Sequence, residues 1–278
     1  MNTRTRFTTP VARAARQTLC TPALILALTM STSAVAQEET FSFDWAGVSE
    51  RHMRINLTGG GVTVQGHDSD EVTIVVTEAM PEDDETEMTQ SGFRQLPNGG
   101  QNLVVRQDGG EIILRSGRAD DYANILVRMP RNARLTVSSA MDGDIRVDDV
   151  HGELDIQAAN GDVEVNGISN VAVIHAHADD LTASIAVAEL PGPLVLTSWA
   201  GNVDLQMSPE LRADLRWRTT YGDVLTDLDI SDVQTVRERT DSEDGTRIEG
   251  FTLGRLNGGG PEISVTTFSG DIVMRGSD

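Results

Sequence analysis

Asp144, Asp162, Asp223 and Asp271 each follow a glycine and lead into apolar residues. The phrases read Gly143-Asp144-Ile145-Arg146-Val147, Gly161-Asp162-Val163-Glu164-Val165, Gly222-Asp223-Val224-Leu225 and Gly270-Asp271-Ile272-Val273-Met274. Gly201-Asn202-Val203-Asp204-Leu205 carries Asn instead, and Gly60-Gly61-Val62-Thr63-Val64 is a degenerate copy. Acids repeated at the turns of a stacked chain could form a column that holds calcium. Calcium-binding β-rolls, however, use a tighter nonapeptide repeat that is absent here. The plainer chemistry is that each Asp follows a glycine with positive φ and accepts backbone N–H groups in the turn. Asn202 fits that role as well as an acid does.

His175-x-His177 is the other metal candidate, with Asp179 and Asp180 close behind. On a strand both imidazoles share a face, and a third ligand from a neighbouring coil would complete a zinc or copper site. The same spacing also describes the outward face of an ordinary strand. His175, His177, Asp144 and Asp162 are therefore metal candidates only, and no catalytic or cofactor-binding residue is assigned. Serine, histidine or cysteine nucleophile motifs are lacking. Acids are abundant, so no pair stands out as the acid and base of a polysaccharide lyase or hydrolase. Trp199, Trp217 and Tyr221 lie near turn phrases and could form a stacking platform for sugar rings, although packing at coil corners is commoner.

The elements that must position these residues follow from their spacing. Gly143 and Gly161 are 18 residues apart, and Gly201 and Gly222 are 21 apart. A period of about 20 residues is the mark of a solenoid whose coils each stack on the last. The pattern predicts an all-β fold: a single-stranded β-helix or solenoid, right-handed by the usual rule. Period-2 alternation assigns Ile145, Val147, Leu154, Ile156, Val163, Val165, Val171, Val173, Ile185, Val187, Leu194, Leu196, Val203 and Leu205 to the interior. Phe41–Val48 reads as a first strand or cap. Asp108-Gly109-Gly110 joins two strands as a hairpin. Val233–Arg239 and Thr246–Leu253 flank a polar turn, as a hairpin near 233–253 that projects from or caps the stack. The acidic insert Met80–Gly100 reads as a solvated loop, since it lacks the spacing and glycine of a calcium loop.

The N-terminus reads as an export signal over residues 1–36. Arg4, Arg6, Arg13 and Arg16 precede an apolar run from Pro22 to Met30, and Ala34-Val35-Ala36 is a small-x-small cleavage site. The run is too short for a permanent transmembrane helix. Cys20 lies ahead of the apolar run, not at the cleavage site, so it is a poor lipid attachment point and the exported chain, a single domain over 37–278, has no thiol chemistry. All 22 basic residues are arginine, and the net charge of −21 becomes −25 once the four leader arginines are lost. So acidic a surface repels nucleic acid and anionic lipid.

The spacing Ile125-x-Val127-x-x-Pro130, Leu135-x-Val137, Gly143-Asp144-Ile145 resembles the bacterial DUF4097 family of adhesin-like proteins. So does the run from Leu253-Gly254-Arg255-Leu256-Asn257 through Gly258-Gly259-Gly260-Pro261 to Thr267-Phe268-Ser269-Gly270-Asp271-Ile272. The resemblance implies a β-solenoid, exported or envelope-associated, with no catalytic residues to carry over. This sequence departs from it in the acidic insert and in the poorly repeating stretch from Ala176 to Pro193. The expected function is a non-enzymatic periplasmic or surface scaffold whose partner is an unidentified envelope glycan or protein. The alternatives are a polysaccharide-active enzyme on the same scaffold and a structural protein that binds divalent cations. No cofactor is expected.

Overall fold

Alternating apolar residues bounded by Gly-Asp and Gly-Asn turns produce strands throughout. The computed structural model describes residues 38–78, 103–116, 123–242 and 245–277, and none of these is helical. The leader and the acidic insert lie outside the described residues. Residues 36–278 form one compact unit.

The chain opens with β1 (Glu38–Asp44), β2 (His52–Leu57), β3 (Val62–His67) and β4 (Glu71–Glu78). It continues with β5 (Leu103–Asp108), β6 (Glu111–Ser116), β7 (Ala123–Pro130), β8 (Arg134–Ser139) and β9 (Ile145–Asp148). Next come β10 (Leu154–Ala158), β11 (Val163–Ile168), β12 (Ala172–Ala176), β13 (Leu181–Ile185), β14 (Leu194–Ser198) and β15 (Val203–Met207). The last strands are β16 (Ala213–Arg218), β17 (Val224–Thr226), β18 (Ser231–Ser242), β19 (Gly245–Leu256), β20 (Glu262–Thr267) and β21 (Ile272–Gly276).

These strands build two facing sheets. Sheet 1 runs β1-β4-β7-β3-β9-β11-β13-β15-β21-β17, and sheet 2 runs β18-β19-β16-β20-β14-β12-β10-β8-β2-β6-β5. Each rung gives one strand to each sheet, and neighbouring rungs pair in parallel. The fold is thus an all-β solenoid. Its rungs are not stacked in chain order. The β2–β3 rung lies between β6–β7 and β8–β9, and the final rung β20–β21 lies between β14–β15 and β16–β17. Antiparallel strands flank both ends: β4 and β1 on sheet 1, β5 on sheet 2, and the β18–β19 hairpin beyond β16.

Between the sheets, inward residues stack in columns. Ile145, Val163, Leu181 and Val203 face Leu135, Leu154, Ala172 and Leu194, and all are buried. Burying one such aliphatic side chain is worth about 1.5–3 kcal/mol. Two inward assignments fail. Val171 and Val173 point outward, and Ala172, Ile174 and Ala176 fill the interior. Alternation leaves the phase open here, because both phases carry β-branched residues, and Leu194 and Leu196 on the adjacent rung fix the register against Ala172 and Ile174. Val187 lies beyond β13, half-buried against the core. The poorly repeating stretch after Ala176 holds an ordinary rung strand, β13, followed by a longer turn.

Candidate functional site

The turn residues come into one column, since strand register aligns position for position. Asp144 Oδ1 accepts the backbone N–H of Asp162 (3.0 Å), and Asp162 Oδ1 accepts that of Asp180 (3.1 Å). Asp180 Oδ1 accepts the N–H of Asn202 (2.8 Å), Asn202 Oδ1 that of Asp271 (2.9 Å), and Asp271 Oδ1 that of Asp223 (2.8 Å). Each side chain therefore caps the next rung across the stack, where the sequence suggested a bond within its own turn. Asp180 is a member the glycine rule misses, because Asp179 precedes it. Gly61 interrupts the column, its N–H taken by Asn124 Oδ1.

The glycines beside these acids are needed chiefly for space. A Cβ on Gly201 would sit 2.0 Å from the Asp179 carbonyl oxygen, and one on Gly161 2.5 Å from that of Gly143. Gly161 has positive φ, whereas Gly201, Gly222 and Gly270 do not, so the expectation of a left-handed glycine before each Asp holds only in part. Among the described residues, no group of three or more His, Cys, Asp or Glu is placed to hold a metal ion. Asp144 and Asp162 serve the ladder, and neither meets His175 or His177.

The two histidines project outward on β12 and just beyond it, at the corner where sheet 2 turns. His177 stacks on Trp199, with centroids 6.0 Å apart and planes 14° from parallel. Trp199 stacks in turn on Phe268 at 4.5 Å and 11°, and Tyr221 meets Phe268 edge-on at 5.3 Å. This column of rings is exposed: Trp199 is 53% accessible, Tyr221 69% and Phe268 37%. Trp217, the third ring suspected from sequence, is buried. His177 and Phe268 are members the sequence reading did not include. Phe268 precedes Gly270 by two residues as Trp199 precedes Gly201, so alignment on the turn glycines would have found it.

The outer faces of the two sheets differ in chemistry. On sheet 1, Arg146 bonds Asp148 (2.9 Å) and Glu164, and Arg275 bonds Asp204 (2.6 Å). The Asp148 hydrogen bond, then the charges of Asp148 and Glu164, raise the guanidinium pKa of Arg146 above its ordinary value. On sheet 2, β12, β14 and β20 align Val173, Val195 and Ser264 in one outward row and His175, Thr197 and Thr266 in the next, both without a carboxylate, while Glu262 is the outward residue at the start of β20. At the end of that face Arg216 lies 3.7 Å over the Phe251 ring, and Arg218 pairs with Glu249.

No curated protein matches this chain. Two solved structures are similar to it at low identity. One is a candidate cell adhesion protein from Clostridium sporogenes: 7% identity, TM-score 0.48, covering 87% of this chain and all of that one. The other is a candidate adhesin from Bacteroides fragilis: 9% identity, TM-score 0.33, covering 87% of this chain and 97% of that one. The Toastrack DUF4097 family model matches residues 49–275, and the chain belongs to that family.

Proposed function

We propose that this protein is an exported, non-enzymatic scaffold of the cell envelope or surface that binds its partner through the outer face of sheet 2. The observation that carries this reading is the exposed column His177–Trp199–Phe268–Tyr221. Elsewhere the apolar residues of the rungs lie largely between the sheets, and four adjacent rungs presenting rings to solvent cost solubility unless something covers them. Export is supported by the arginine-rich, then apolar, then small-residue order of the leader. Fractionation of the native cell tests it. The expected result is a chain beginning near Gln37 in the periplasm, at the surface or in the medium. Intact protein in the cytoplasm with residues 1–36 retained overturns the reading.

A second reading has one observation in its favour. Arg146 brings Asp148 and Glu164 together on sheet 1, and two acids beside an arginine are what a polysaccharide-active enzyme would use. Arg146 and Glu164 line an open hollow of about 640 Å³, but both acids are tied to the one arginine in an ion-pair network that stands partly open to water. The purified protein is therefore expected to release no reducing ends from neutral or acidic polysaccharides. Release that disappears in Asp148→Asn or Glu164→Gln would replace the scaffold with an enzyme.

A further inference from the structure

The column of rings stops at His177, and the residues that follow it in register decide what the corner can hold. Ala158 pairs with Ala176 and Ser139 with Ala158, which puts Ala159 and then Ala140 at the corner on the next two rungs. The backbone continues without a break there: His177 N–H bonds the Ala158 carbonyl, and Ala159 N–H bonds that of Ser139. Two methyl groups thus stand where two further rings would fit at rung spacing, about 4.8 Å apart.

Trp199 is stacked by His177 on one side and by Phe268 on the other, and its exposed remainder lines a hollow beside them. At the end of the column away from Tyr221, the His177 imidazole has Ala159, not a ring, next in register. It borders the same hollow, which measures about 520 Å³ along the edge of sheet 2 and whose polar groups include Ser138, Gln157, His175 and Thr197. The lining holds no carboxylate and no arginine, on a chain with 43 acidic residues.

We propose that this hollow seats one ring of a neutral glycan, stacked on His177 above Ala159, with its hydroxyls bonded by Gln157, His175 and Ser138. A ring bound here needs an apolar face for the imidazole and a hydroxylated rim for the amide, imidazole and hydroxyl groups around it. A pyranose has both. An aromatic side chain lacks the rim. A cationic ligand would find no carboxylate in the hollow, and an anionic one would be repelled by the net charge of the molecule. The two uncharged outward rows across β12, β14 and β20 let the rest of the glycan run along the rungs, between Asp155 on β10 and Glu262, Arg216 and Arg218 on the far side. This proposal takes its setting from the scaffold reading and names the ligand class of the same face.

Calorimetric titration of the purified protein with chitohexaose, cellohexaose and mannohexaose tests it. At least one is expected to bind with a Kd below about 1 mM, as a shallow site allows. Ala159→Phe, which fills the slot with the protein's own ring, is expected to weaken binding by about tenfold or more with the melting temperature kept. His177→Ala, which removes the stacking face, is expected to do the same. Failure of all three glycans to bind, or equal binding in both variants, overturns the proposal. So does tighter, salt-sensitive binding of polygalacturonate or chitosan, or binding of an aromatic peptide at the same slot. These outcomes leave the fractionation result standing, and cytoplasmic retention leaves the titration readable, so the two failures are distinguishable.

Discussion

Asp162 shows how little a turn residue needs in order to do its work. It receives one backbone N–H from the next rung and offers its own N–H to the previous carboxylate. Asn202 fills the same position in the same ladder, with its amide oxygen as acceptor. The acceptor is what matters, while the charge adds repulsion between neighbouring acids. Asp162→Asn is therefore expected to be as stable as the wild type or slightly more so, and Asp162→Ala less stable than Asp162→Asn by about 1 kcal/mol, the usual net worth of a hydrogen bond. Urea midpoints of the two variants give the comparison directly, and equal midpoints would remove the ladder from the stability account. The acids at turns were legible in the sequence because turn chemistry is local. Their bonding across rungs was not, because the partner N–H lies 18 or more residues away.

At the scale of the element, β12 is where pattern and structure part. Val171, Val173, Ile174 and the alanines around them alternate ambiguously: both phases contain aliphatic residues. The neighbours choose. Leu154 and Ile156 on one side, Leu194 and Leu196 on the other, put Ala172 and Ile174 inward, and a slip by one residue would turn His175 into the core. Ile174→Ala is accordingly expected to cost about 2–5 kcal/mol, as large-to-small changes in a packed interior do. Val173→Thr, on the outer face, is expected to stay within about 0.5 kcal/mol. Thermal unfolding of the pair checks the phase of the strand, and the opposite order would restore Val173 to the interior. The same outward phase is what carries His175 to the edge of the hollow and the chain on to His177 at the corner.

For the whole molecule, the order of the rungs matters more than their number. In a simple solenoid the last coil can be lost and the rest still stacks. Here β20–β21 lies inside the array, pairing with β14 and β15 on one side and β16 and β17 on the other. Removal of residues 257–278 would open a gap one rung wide and leave four strand edges bare. The truncated chain is expected to lose cooperative unfolding and become protease-sensitive well beyond its new end, as read by circular dichroism melting and limited proteolysis. A truncation that melts as sharply as the full chain would contradict the inserted order. The same arrangement predicts late completion of folding, since Asn202 meets Asp271, 69 positions further along the chain.

By itself the sequence determined the unit of construction. Glycine, then Asp or Asn, then alternating aliphatic residues specify a tight corner and a strand with one apolar face, and the repeat makes them a stack. Those are local properties, set by sterics and period, and they read off Gly143-Asp144-Ile145 and its copies. The tertiary structure alone decided which rung lies on which, the phase of β12, and the assembly of His177, Trp199 and Phe268 into one column. Every rung has nearly the same pitch and the same apolar interior, so nothing local marks its neighbour. That choice rests on pairings between distant segments, and it is made only when the whole chain packs.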